Sequence, residues 1–207
     1  MTPGPELARL LAGRTLLIFD FDGTIADSSP LHAQAFTQVL EPLGIPVDYP
    51  RLAGRSTRDA VLHSFALAGQ PEPESALVEE LVRQKQALGR ELIASSLMAL
   101  PAAAALLDWA RSRFRLALVS SGSRGTIDIA LGRLGLADWF DPLITADDVA
   151  QAKPDPQGFL LALDRARVAA EAALIFEDAE SGFEAARRAG VTAVDARRLD
   201  SLMVTES

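Results

Sequence analysis

Five short stretches of this chain are apolar almost without a break: residues 15–19 (TLLIF), 115–119 (RLALV), 142–145 (PLIT), 172–176 (AALIF) and 191–194 (VTAV). A strand with one face in water alternates apolar and polar residues. A strand buried on both faces does not, and burial on both faces is characteristic of parallel sheets covered by helices. Helical patterns with recognisable ends separate the later runs. Asp155-Pro156 reads as an N-cap followed by proline at the first helical position. Ser181 and Glu184 have the spacing of a capping box, and Gly190 closes that helix after Arg187 and Arg188. Gly135 similarly follows a helix starting near Ser123. Strand alternating with helix from 115 to 195 predicts an α/β fold, a doubly wound parallel sheet of Rossmann-like type.

One segment breaks the rhythm. Residues 28–96 show helical patterns, starting at Ser28-Ser29-Pro30 and running near 57–68 and 74–93, and no convincing strand. The expected organisation is a core of residues 1–27 and 97–207, with a small all-helical domain of residues 28–96 inserted after the first strand. Such an insert would lie over the carboxyl edge of the sheet, where folds of this kind bind ligands.

Composition excludes several functions. Lys and Arg number 20 and Asp and Glu 28, a formal charge of -8. That balance argues against nucleic acid, which needs a basic face, and against an anionic membrane surface. The absence of cysteine removes disulfides, thiolate catalysis and zinc–cysteine sites. The first fourteen residues lack the long apolar region of a secretory signal, and the most apolar stretch, residues 97–107, is too short to span a bilayer. The expectation is a cytoplasmic protein.

The chemistry gathers where the runs end. The first leads into Asp20-Phe21-Asp22-Gly23-Thr24, with two carboxylates two residues apart on a turn that Gly23 can tighten. One can attack while the other moves protons. The second ends Ser120-Ser121-Gly122-Ser123, a hydroxyl and backbone N–H groups ahead of a helix, which suits a phosphate. Lys153-Pro154-Asp155-Pro156 puts one lysine in a stiff loop, and the fourth run ends Glu177-Asp178, hard oxygen ligands of the kind Mg²⁺ prefers. Taken singly, each has an ordinary reading: a solvated turn, a helix N-cap, a surface lysine, an acidic loop. Taken together they are more informative, because parallel strands finish at one edge. Carboxylates holding a cation, a lysine and a hydroxyl are the equipment of phosphoryl transfer.

These residues carry a resemblance. DFDGTIADS (20–28), LVSSGS (118–123), AKPDP (152–156) and IFEDAESGFEAARRAG (175–190) stand in the order and at the intervals of the haloacid dehalogenase superfamily, in its phosphatase and phosphomutase branch. The match spans nearly the whole chain. It implies Asp20 as nucleophile, Asp22 as general acid and base, and Ser120 and Lys153 on the transferring phosphoryl oxygens, with Ser121 beside them and Lys153 also holding Asp20 in place. It implies Mg²⁺ held by Asp20, the backbone carbonyl of Asp22 and Asp178, with Glu177 nearby. Residues 28–96 resemble the family's small cap domain. Within them His32 falls where β-phosphoglucomutases carry a histidine tied to cap closure, and a helix-face residue is an equal reading. Gly54, Arg55 and Arg58 lie in the segment that sets substrate specificity.

The resemblance thus implies a phosphatase acting on a small phosphorylated metabolite, a sugar phosphate of the fructose-1-phosphatase type, with a phosphomutase as the alternative. The mutase pattern has an arginine directly after the serine, where this chain has Thr57 and only then Arg58. A receiver-like signalling module also uses acidic residues, a hydroxyl and a lysine, but its phosphoacceptor lies on a middle strand and it has no helical insert. Capped members are typically monomers, and a monomer is expected.

Overall fold

The computed structural model describes residues 1–52 and 55–205. In chain order the elements are β1 (Thr2–Pro3), α1 (Pro5–Leu11), β2 (Leu16–Phe19), α2 (Ser29–Leu40), α3 (Tyr49–Leu52), α4 (Thr57–Leu67), α5 (Ser75–Ser96) and α6 (Pro101–Ala110). There follow β3 (Arg115–Val119), α7 (Arg124–Leu134), β4 (Leu143–Ile144), α8 (Gln157–Ala166), β5 (Ala173–Glu177), α9 (Glu180–Arg188), β6 (Thr192–Asp195), α10 (Leu199–Leu202) and β7 (Met203–Val204). The chain forms two compact units, residues 1–27 with 98–205 of the described chain, and Ser28–Leu97.

The first unit is built on a five-stranded sheet in the order β4-β3-β2-β5-β6, with every pairing parallel. The central strand β2 is LLIF, and all four residues are fully buried. The period of two sorts them by face. Leu16 and Ile18 join Ala117, Val119, Ile175 and Phe159 in a core closed by α8 and α9. Phe19 belongs to the other face, stacked on Phe176 of β5 with ring centroids 4.7 Å apart and edge-on to Phe140 at 6.4 Å. Burying a side chain of this size contributes about 1.5–3 kcal/mol, so these four residues anchor the strand that leads into Asp20.

The second unit is wholly helical among its described residues. Helices α2, α3, α4 and α5 surround Phe36, Leu40, Ile45, Val61, Phe65 and Leu81. The buried positions of α5 are Val78, Leu81, Lys85, Gly89 and Ile93, a stripe at spacings of three and four. A lysine therefore stands where the period calls for an apolar residue.

The capping box expected at Ser181 does not form. Helix α9 begins two residues earlier than that box requires, at Glu180, with Ala179 as N-cap. The N–H groups of Asp178 and Ala179 donate instead to Glu177 Oε1, at 3.2 and 3.1 Å. Glu184 turns to Arg187 and Arg188. The two-residue antiparallel pairing of β1 with β7, which joins the two ends of the chain, and the helices α1 and α6 had no counterpart in the sequence reading. No helix among the described residues is long and apolar enough to cross a membrane.

Candidate active site

Asp20 follows directly on β2, and its N–H donates to the carbonyl of Phe176 on β5 at 3.0 Å. The chain then turns sharply. Ile25 and Ala26 both donate to the carbonyl of Phe21, and Gly23 donates to Ala26. Gly23 takes φ +79, the left-handed region, and a Cβ there would meet Asp178 Oδ2 at 2.2 Å. Glycine is thus required twice, for the turn and for the space that the Asp178 carboxylate occupies.

Lys153 ties three strand ends together. Its ammonium donates to Asp20 Oδ1 at 2.5 Å, to Glu177 Oε2 at 2.7 Å and to the carbonyl of Val119 at 3.2 Å. All three donors of the group are used. Below it lies the ring of Phe159, with Nζ 5.1 Å from the centroid. The pair is buried, so neither charge is screened by bulk water.

The electrostatics follow from burial. Burial pushes the Asp20 carboxyl well above its ordinary value, the Lys153 ammonium opposes this, and the charges of Glu177 and Asp22 add to it. Burial alone would lower Lys153, but the carboxylates of Asp20 and Glu177 outweigh it and keep the ammonium charged. Asp178 is raised by burial and by Glu177. One ammonium thus faces a surplus of acidic groups, an arrangement suited to a further cation.

The donor chemistry fits a hard divalent ion. Asp20, Glu177 and Asp178 each offer an oxygen, all within 4.8 Å of one another. Oxygen-only sets of this kind suit Mg²⁺. Of the three, Glu177 is the most committed elsewhere, with one oxygen on Lys153 and the other on two backbone N–H groups. The side chain of Asp22 is not in that group; the ligand expected from it was its backbone carbonyl.

Ser120 follows directly on β3, buried, and its Oγ accepts from the N–H of Gly122 at 3.0 Å. Ser120, Ser121 and Lys153 line one small pocket, together with Thr145, Asp155 and Phe159. Asp20 is not part of that lining; its link to the cavity runs through Lys153.

The remaining candidates belong to the helical unit. Arg55 and Arg58 are exposed, and Arg55 Nε donates to the carbonyl of Arg51. Gly54 lies outside the described residues. His32, on α2, has its Nδ1 3.2 Å from the ammonium of Lys85, which also sits 4.6 Å over the ring of Phe36. An ammonium only donates, so Nδ1 is the acceptor of this contact. Lys85 was missed in the sequence, although its position on the apolar stripe of α5 is a signal that marks it.

The chain is similar to known proteins over most of its length. The fructose-1-phosphate phosphatase YqaB of Escherichia coli (strain K12) is 33% identical over 194 residues, covering 88% of this chain and 96% of that protein. The β-phosphoglucomutase of Bacillus subtilis (strain 168) is 33% identical over 187 residues, covering 86% and 81%. Among solved structures, CbbY from Rhodobacter sphaeroides in complex with phosphate superposes with a TM-score of 0.75 at 27% identity, covering 87% of this chain and 84% of that one. Residues 17–196, which carry both strand-end carboxylate pairs and Lys153, match the haloacid dehalogenase-like hydrolases as a family, and the chain belongs to that family.

Proposed function

We propose that this chain is a Mg²⁺-dependent phosphatase that hydrolyses a small phosphorylated metabolite, a sugar phosphate, through an aspartyl-phosphate on Asp20. The observation that carries the reading is the Lys153 ammonium, held against Asp20 Oδ1 and Glu177 Oε2. It fixes one oxygen of Asp20, leaves the other to attack, and places positive charge where phosphoryl oxygens gather.

Asp20 attacks phosphorus, and the ester P–O bond breaks as Asp22 gives its proton to the departing alkoxide. Asp22, now a carboxylate, takes a proton from water. That water attacks phosphorus, the bond from Asp20 to phosphorus breaks, and inorganic phosphate leaves. Ser120 binds the phosphoryl oxygens throughout, and Lys153 joins it by exchanging its 3.2 Å bond to the Val119 carbonyl for one to the phosphoryl group. Asp20 and Asp178, with the Asp22 carbonyl and Glu177 beside them, would hold Mg²⁺, which supplies positive charge to offset that of the phosphoryl group. Residues 28–97 serve as a cap, with His32, Arg55 and Arg58 reading the rest of the substrate.

The test is phosphate release from a panel of sugar phosphates, nucleotides and phosphoglycolate, with and without Mg²⁺. Release concentrated on one or two sugar phosphates and dependent on Mg²⁺ supports the reading; release independent of the metal contradicts it. The β-phosphoglucomutase relative, also 33% identical, favours a second reading, in which a sugar hydroxyl replaces water as acceptor. Isomerisation of glucose 1-phosphate without free phosphate would select it.

Two substitutions probe the parts. Asp178→Asn raises the Mg²⁺ concentration for half-maximal activity about tenfold or more; an unchanged metal titration removes Asp178 from the site. Arg55→Ala and Arg58→Ala change the ranking of substrates by about tenfold while phosphate release from the smallest substrate persists. Equal losses on every substrate exclude a specificity role.

A further inference from the structure

Gly182 has no local reason to be glycine. It is the third residue of α9, it is buried, and it is not among the glycines with positive φ. In such a position glycine costs a helix stability relative to alanine. What requires it is space. A Cβ at residue 182 would lie 2.0 Å from both Cδ and Oε2 of Glu177 and 2.5 Å from its Cγ. A carboxylate at the end of a flexible side chain usually moves aside, but this one is 1% exposed and held at both oxygens. Oε2 accepts from Lys153, and Oε1 accepts from the N–H groups of Asp178 and Ala179.

We propose that Gly182 is a positioning residue for the reaction: its missing side chain is the space in which the Glu177 carboxylate sits, and through Glu177 it fixes Lys153 against Asp20. A methyl group at 182 displaces Oε2, and Lys153 loses the second of the two carboxylates that aim it. The sequence separates these residues by 5 and 29 positions, so only the packing of α9 onto the end of β5 shows the dependence. The catalytic consequence rests on the assignment of Asp20 as nucleophile; the packing consequence does not.

The test compares Gly182→Ala, Glu177→Ala and the double variant, each as the full chain. Melting without metal is one readout and phosphate release with Mg²⁺ the other. Gly182→Ala lowers the melting temperature by about 5 °C, as overpacking does. It also lowers kcat about 10²-fold, as misplacement of a catalytic group does, with KM changed by less than about threefold. In the Glu177→Ala background the space is vacated. There the same substitution leaves the melting temperature unchanged or raises it, because alanine is the better helix former. Equal losses of melting temperature in both backgrounds, or a single variant with the activity and stability of the wild type, would overturn the proposal. If the wild type releases no phosphate from any substrate, the assignment of Asp20 fails. The melting comparison then decides the role of Gly182 alone, background dependence supporting it and its absence refuting it.

Discussion

Asp20→Asn abolishes turnover, by about 10⁴-fold or more, and leaves the protein as stable as the wild type or more stable. The two halves of this result have different causes. An amide cannot serve as the nucleophile, so the covalent route closes. Stability behaves otherwise because of what surrounds the carboxylate. Burial is the largest influence on Asp20, and it opposes the charge; Glu177 and Asp22 oppose it as well. Asparagine removes that charge, keeps nearly the same shape, and can still accept from Lys153 through its Oδ1 at the position where the ammonium now lies 2.5 Å away. Phosphate release and a thermal melt on the same preparation check both halves. A large loss of stability would mean that the Asp20 charge holds the fold together, and near-normal turnover would remove Asp20 from the mechanism.

Lys153→Met does the reverse, losing stability along with activity. Methionine keeps an unbranched stem beside Phe159 in place of the ammonium that lay over its ring, but it leaves Asp20 and Glu177 as buried charges with no cation between them. Breaking a buried pair in this way costs about 3–5 kcal/mol, read by denaturant unfolding at neutral pH. The pH dependence follows from the direction of the shift. Asp20 already binds its proton more tightly folded than unfolded, relative to an ordinary value of 3.8, and loss of the ammonium, which lowers it, drives it higher. A group with a raised folded pKa contributes stability that is fully present below its unfolded value and is lost as pH rises through its folded value. The variant is therefore most stable in mild acid and weakens toward neutral and alkaline pH. Activity falls about 10³-fold with it. A variant as stable as the wild type at every pH would show that Lys153 is not what holds the two carboxylates together.

What could be read in the sequence, and what could not, follows from the range of the interactions. The strands of the sheet announced themselves because residues such as Leu16, Leu17, Ile18 and Phe19 are buried on both faces and leave no polar alternation. Asp20, Ser120 and Asp178 could be singled out because each stands where an apolar run ends. Of the bonds among these residues, the one from Lys153 to Asp20, 133 positions away, was implied by the family resemblance alone, and the one to Glu177, 24 away, could not be read. The capping box at Ser181 was misread for the same reason: its local pattern is correct, but the carboxylate of Glu177 occupies the N–H groups just ahead of the helix, and Glu184 finds two arginines. Strands β1 and β7 escaped notice because two residues carry no periodicity. Lys85 is the instructive case in between, a polar residue on an apolar stripe whose partner His32 lies 53 positions away.

If Asp20 carries the phosphoryl group, the group can be trapped there. In Asp22→Asn the proton transfers that release phosphate are blocked. p-Nitrophenyl phosphate can still donate, because its phenolate departs without a proton. The variant is mixed with this donor and Mg²⁺, quenched in acid and reduced with borohydride, which converts an aspartyl-phosphate to homoserine, and the peptides are then weighed. The account predicts about one nitrophenolate per chain in a rapid burst and homoserine at position 20. A burst with the label at another residue, or with aspartate unaltered at position 20, would contradict it.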